Sequence, residues 1–136
     1  MKTFKMFLIV LVCMEINISC ASQNNDRNDQ SATGQDEVSV FYFHFERRCA
    51  TCKAVESVSK EAISELYNDA VSFTAVNIDD EKGKETAEKI GVSGQSLLII
   101  KGDVKIDLTA EAFMNATIKP EELKKILKQN IDPLLR

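Results

Sequence analysis

The feature that most constrains this chain is Arg47-Arg48-Cys49-Ala50-Thr51-Cys52-Lys53, which follows the run Ser39-Val40-Phe41-Tyr42-Phe43-His44-Phe45 and opens an amphipathic helix. The spacing puts two thiols at a junction where a strand ends and a helix begins. Two cysteines separated by two residues at a helix start can close a small disulfide. The outer one sits where unpaired backbone N–H groups stabilise a thiolate. Cys49 is therefore the expected nucleophile, and Cys52 the thiol that resolves a mixed disulfide.

Periodicity supplies the elements around that junction. Residues 38–45 are β-branched or aromatic on both faces and predict a buried strand, so both faces must be covered. Ala54, Val55, Val58, Ala62, Ile63, Leu66 and Tyr67 recur at helical spacing opposite Glu56, Lys60, Glu61 and Glu65, which predicts a helix over about 49–68. Residues 71–78 read as a second strand. Asp79-Asp80 caps a short polar helix through Ile90, and Gly91 stops it. Residues 97–101 and 104–108 form a hairpin through Gly102-Asp103, and Pro120 opens a last helix with the stripe Leu123, Ile126, Leu127 and Ile131. The predicted order is β-α-β-α-β-β-α, an α/β domain over 38–136 with a mixed sheet between two helical layers.

The N-terminal end is built differently. Residues 1–5 carry two lysines, residues 6–14 form an unbroken run of nine apolar residues, and small and polar residues follow. This reads as a signal peptide over 1–19, since nine apolar residues fall far short of the roughly 20 that cross a bilayer as a helix. Asn17-Ile18-Ser19-Cys20 resembles the lipobox of bacterial lipoproteins, in which a small residue precedes a cysteine that is lipidated and becomes the mature N-terminus; Asn17 stands where an aliphatic residue is usual. Cys20 is the expected lipidation site. Ordinary cleavage after Ala21 and an uncleaved anchor are the alternatives. Residues 21–37 contain no large apolar side chain and read, with Cys20, as a flexible tether. Seventeen such residues reach roughly 20–25 Å.

Of the four cysteines, Cys13 lies in the signal and Cys20 is taken by lipid, which leaves only Cys49 and Cys52. A pair so close in sequence closes too small a loop to stabilise a fold much, so chemistry is the better explanation. Loss of residues 1–19 removes Lys2, Lys5 and Glu15 and leaves 15 cations against 20 anions, a net charge of −5. Nucleic acid is excluded as a partner on that balance. The sequence Asn115-Ala116-Thr117 matches a glycosylation acceptor, a pattern read here as chance.

The element order and the dithiol's place in it resemble the thioredoxin fold over residues 38–131. Phe43-His44-Phe45 and residues 47–56, 91–97 and 108–114 further resemble a bacterial thioredoxin-like family described as a nitrophenyl-compound nitroreductase subunit. That likeness implies a redox role but does not imply nitro-group reduction, because a lone dithiol without a flavin site has no hydride donor. Three departures from thioredoxin stand out. Arg48, beside Arg47, replaces the aromatic residue usual before the nucleophile; two cations should favour the Cys49 thiolate and make the pair more oxidising, unless both are merely solvated loop charges. Phe43 stands where thioredoxin has a buried carboxylate, leaving Glu46 or Glu56 as candidate proton acceptors and His44 as either a shuttle or a packed residue. Gln95-Ser96 replaces the segment that ends in a cis proline, so the peptide opposite Cys49 is expected to be trans.

The resulting expectation is a thiol–disulfide oxidoreductase with catalytic Cys49 and Cys52, tuned by Arg48 and needing no cofactor. It would be lipid-anchored in a bacterial cell envelope, facing the periplasm or exterior. Its partners would be cysteine-containing envelope proteins or a redox partner enzyme. Three alternatives are an electron-relaying accessory subunit of a nitroreductase-type enzyme, an inert interaction domain, and a metal-binding module. The last needs a second chain, because two thiolates supply only half of a four-ligand site.

Overall fold

Strand β1 (Val38–His44) is apolar on both faces because it lies inside a four-stranded sheet of order β2-β1-β3-β4. The computed structural model describes residues 37–136; the signal peptide expected at 1–19, Cys20 and the tether as far as residue 36 lie outside the described residues. β2 (Val71–Asn77) runs parallel to β1, with Val38 beside Val71 and His44 beside Asn77. β3 (Ser96–Lys101) runs antiparallel to β1, with Phe43 opposite Ser96, and β4 (Val104–Asp107) returns antiparallel to β3.

Alternation along the strands divides the core. Val38, Val40 and Tyr42 pack with Leu97 and Ile99 on one face, while Phe43 packs with Leu98 on the other, joined by Phe41 and Ile100. The first face is covered by α1 (Ala50–Tyr67), α3 (Thr109–Asn115) and α4 (Pro120–Ile131), and the second by α2 (Glu81–Ile90). Leu123, Leu127 and Ile131 are fully buried, each contributing about 1.5–3 kcal/mol of apolar burial. Short-range chemistry sets the ends of α2. Asp80 Oδ1 accepts from the Gly83 N–H at 2.6 Å, and Gly91 leaves the helix at φ 76°, a left-handed conformation that favours glycine.

The structure departs from the sequence expectation in two places. The order is β-α-β-α-β-β-α-α, because α3 stands between the hairpin and α4. Its start is set by Asp107, whose Oδ1 accepts from the Thr109 N–H at 2.9 Å and from the Thr109 hydroxyl at 2.5 Å. Leu66, assigned by its spacing to the apolar stripe of α1, is 43% exposed; the buried stripe is Val55, Ser59, Ala62, Ile63 and Tyr67.

Candidate active site

The register of β3 on β1 decides what meets the dithiol. Because Ser96 lies opposite Phe43, the loop that ends in Gln95 reaches the end of the sheet where β1 turns into α1. Cys49 occupies the N-cap of α1 with extended backbone (φ −75°, ψ 172°), and its Sγ accepts from the Cys52 N–H at 3.3 Å. A helix start usually places a hydroxyl or carboxylate there; here a sulfur satisfies the orphan amide. No acidic residue stands in the first turn to oppose a thiolate.

Both thiols are free, Cys49 exposed and Cys52 buried, with their sulfurs 2.6 Å apart. The Cys49 thiol is held below its ordinary pKa, chiefly by the hydrogen bond from the Cys52 thiol and next by the Cys52 backbone amide. Desolvation opposes this, and the amides of Thr51 and Cys49 assist it. The exposed sulfur is thus the better nucleophile, and the buried one sits within reach to attack it. Tyr42, fully buried in β1, donates from its hydroxyl to the Cys52 carbonyl at 2.9 Å and so ties the first turn of α1 to the sheet. Burial, followed by the nearby Cys52, pushes the Tyr42 phenol up to about 12, so it stays a donor through neutral pH.

The remaining sequence candidates are distributed as follows. Arg48 forms an ion pair with Glu56, the candidate proton acceptor on α1, across the first two turns of that helix. Cys52 and backbone amides account for the lowering at Cys49, and the Arg48 charge is met by the Glu56 carboxylate. Glu46 is exposed, its N–H donating to Asp79 Oδ2 at 2.7 Å. His44 is buried against the Tyr42 ring, with Nδ1 3.0 Å from the Phe45 carbonyl oxygen, the geometry of a packed residue with one hydrogen bond. Phe43 is fully buried in the core on the α2 side of the sheet. No peptide among the described residues is cis, Gln95–Ser96 included. Among the described residues no three His, Cys, Asp or Glu side chains converge on a metal position. Asn115 spends its side-chain N–H on the Glu111 carbonyl at 2.8 Å.

Sequence reasoning missed the contacts that two groups make with Cys52, that of Tyr42 with its carbonyl and that of Gln95 with its sulfur. The Gln95 side chain lies on Cys52 Sγ, with Oε1 at 3.7 Å and Nε2 at 3.6 Å. The signal was available, since a polar residue stands next to the position where thioredoxin has its proline, but the pairing register was needed to aim it.

No family model and no curated protein matches the chain at the level of sequence. Among solved structures it is similar to thioredoxin O2 from Arabidopsis thaliana in its oxidized state, with 28% identity, a TM-score of 0.51, and 69% of this chain covering 75% of that one. It is also similar in fold to thioredoxin f2 from Chlamydomonas reinhardtii, with 21% identity, a TM-score of 0.50, and 72% of this chain covering 82% of that one. The fold is therefore thioredoxin-like, with the dithiol at the start of the helix that follows the central strand.

Proposed function

We propose that this thioredoxin-like thiol–disulfide oxidoreductase is exported and tethered to a membrane, with Cys49 as its nucleophile, Cys52 as its resolving thiol and Arg48 tuning Cys49. The observation that carries the chemistry is the capping geometry. The exposed sulfur receives hydrogen bonds from the Cys52 thiol and amide, while the buried sulfur waits 2.6 Å behind it. In the reducing direction the Cys49 thiolate attacks one sulfur of a partner disulfide. A Cys49–partner S–S bond forms, and the partner's other sulfur leaves as a thiolate that takes a proton from water. Cys52 then loses its proton and attacks Cys49 Sγ, closing the internal disulfide and releasing the partner's second thiolate. Two electrons pass from the dithiol to the partner, and the oxidising direction is the same path reversed.

Export and tethering are supported by the lysines and apolar run of residues 1–14 and by the lipobox-like segment ending at Cys20. The partners that suit this reading are envelope proteins with exposed cysteines. A second reading, an electron-relaying accessory subunit of a nitroreductase-type enzyme, is supported by the resemblance of residues 43–45, 47–56, 91–97 and 108–114 to that family. One experiment bears on both. In native envelopes Cys52→Ser accumulates mixed disulfides on Cys49, whereas Cys49→Ser accumulates few. Many unrelated partners identified by mass spectrometry indicate a general oxidoreductase, and one redox enzyme indicates the accessory subunit. Equal trapping by both variants, or none by either, removes the assignment of Cys49 as nucleophile.

A further inference from the structure

Resolution of the mixed disulfide asks something unusual of Cys52, which is 4% exposed and must become an anion before it can attack. A buried carboxylate could accept its proton, but Phe43 occupies that position in β1 and points into the core on the α2 side of the sheet. The nearest acid on α1, Glu56, is committed to Arg48. While the dithiol is reduced, Cys49 is itself a hydrogen-bond partner of Cys52. Once Cys49 is bonded to a substrate sulfur that partner is spent. Among the described residues, the side-chain polar group then left at Cys52 Sγ is the Gln95 amide, with Nε2 at 3.6 Å and Oε1 at 3.7 Å.

An amide serves both protonation states, because Oε1 accepts from a thiol and the NH2 group donates to a thiolate. The loop holds it in place. Ser96 Oγ donates to the Gly94 carbonyl at 3.1 Å, and the Leu97 N–H donates to Thr109 Oγ1 at 3.1 Å, so both sides of Gln95 are tied down. We propose that Gln95 is a catalytic residue of the resolving half-reaction, stabilising the Cys52 thiolate as it attacks Cys49 Sγ and leaving the first attack by Cys49 untouched. This rests on the thiol–disulfide exchange proposed above and adds to it a division of labour: helix-start amides for Cys49, and a loop amide for Cys52. The atoms balance as before, with the Cys52 proton passing to water, a Cys49–Cys52 bond forming and the substrate thiolate leaving.

The two half-reactions separate with 5,5′-dithiobis(2-nitrobenzoate), whose coloured thiolate is released once when Cys49 attacks and again when Cys52 resolves. The full chain with Cys13 and Cys20 replaced by serine, so that Cys49 and Cys52 are its only thiols, is compared by stopped flow from pH 5 to 9 with the same chain carrying Gln95→Met, which keeps the side-chain length and removes both amide atoms. The expected result is an unchanged first phase and a second phase slowed about tenfold at pH 7, with its pH midpoint moved upward. Gln95→Asn, which restores an amide one methylene shorter, recovers part of the second-phase rate. A second phase at the wild-type rate overturns the proposal. Equal slowing of both phases also overturns it, since that is what a disturbed loop produces. Failure of the underlying reading looks different: the first phase then persists in Cys49→Ser, whatever stands at position 95.

Discussion

The two cysteines take their surroundings from different parts of the chain. Cys49 draws its acidity from the thiol and amide of Cys52, contacts built into any helix that begins Cys-x-x-Cys, and this part of the site was legible in the sequence. The groups around Cys52 were not, because Gln95 lies 43 positions away and Tyr42 lies 10, and only strand pairing brings them in. Arg48 was legible as a cation but not as half of a pair. Its tie to Glu56 yields a two-sided prediction for the tuning role. Arg48→Glu puts an anion beside Cys49 and next to Glu56, raising the Cys49 pKa, making the dithiol harder to reduce, and slowing alkylation at pH 7 by a factor of about two to five. Glu56→Gln frees the guanidinium and shifts all three the other way. Thiolate absorbance against pH, with redox equilibration against glutathione, measures both variants; no change in either leaves Arg48 a bystander.

Elements with strong local signals matched expectation to within a residue or two. β1 carried its double-sided apolar run, α2 its Asp80 cap and Gly91 stop, and α4 its proline and leucine stripe. α3 escaped because seven residues with Ala112 as their single buried side chain show no period; its one cue was the Asp107–Thr109 turn. Tertiary packing also gives Gly83 a role its polar surroundings did not suggest. A Cβ there would come within 1.8 Å of the Asn77 carbonyl oxygen, which is backbone and cannot swing aside. Gly83→Ala therefore forces α2 away from the end of β2 and costs about 1–3 kcal/mol, seen as a lower urea midpoint. An unchanged midpoint would mean that α2 shifts freely. Leu127→Ala, in the fully buried stripe of α4, costs about 2–5 kcal/mol in the same assay.

At the scale of the whole molecule, a thioredoxin-like domain is proposed to hang from a membrane by residues 20–37. Cys20→Ala tests the anchor: the wild-type mature chain partitions with membranes, while the variant is released or stays an unprocessed precursor, and a soluble wild-type chain beginning at Ser22 rules lipidation out. The central claim, that Cys49 is an activated thiol working in front of a buried partner, is tested most directly by the rate of iodoacetamide alkylation against pH, with each cysteine followed by mass spectrometry. The thiolate is stabilised in the folded protein by hydrogen bonds from Cys52, so its reactivity persists below the ordinary thiol range and fades only as pH falls through the lowered pKa. The account predicts that Cys49 is labelled first, with a midpoint below that of the same residue in urea. Labelling of Cys52 at an equal rate, or a folded midpoint at or above the denatured one, would contradict it.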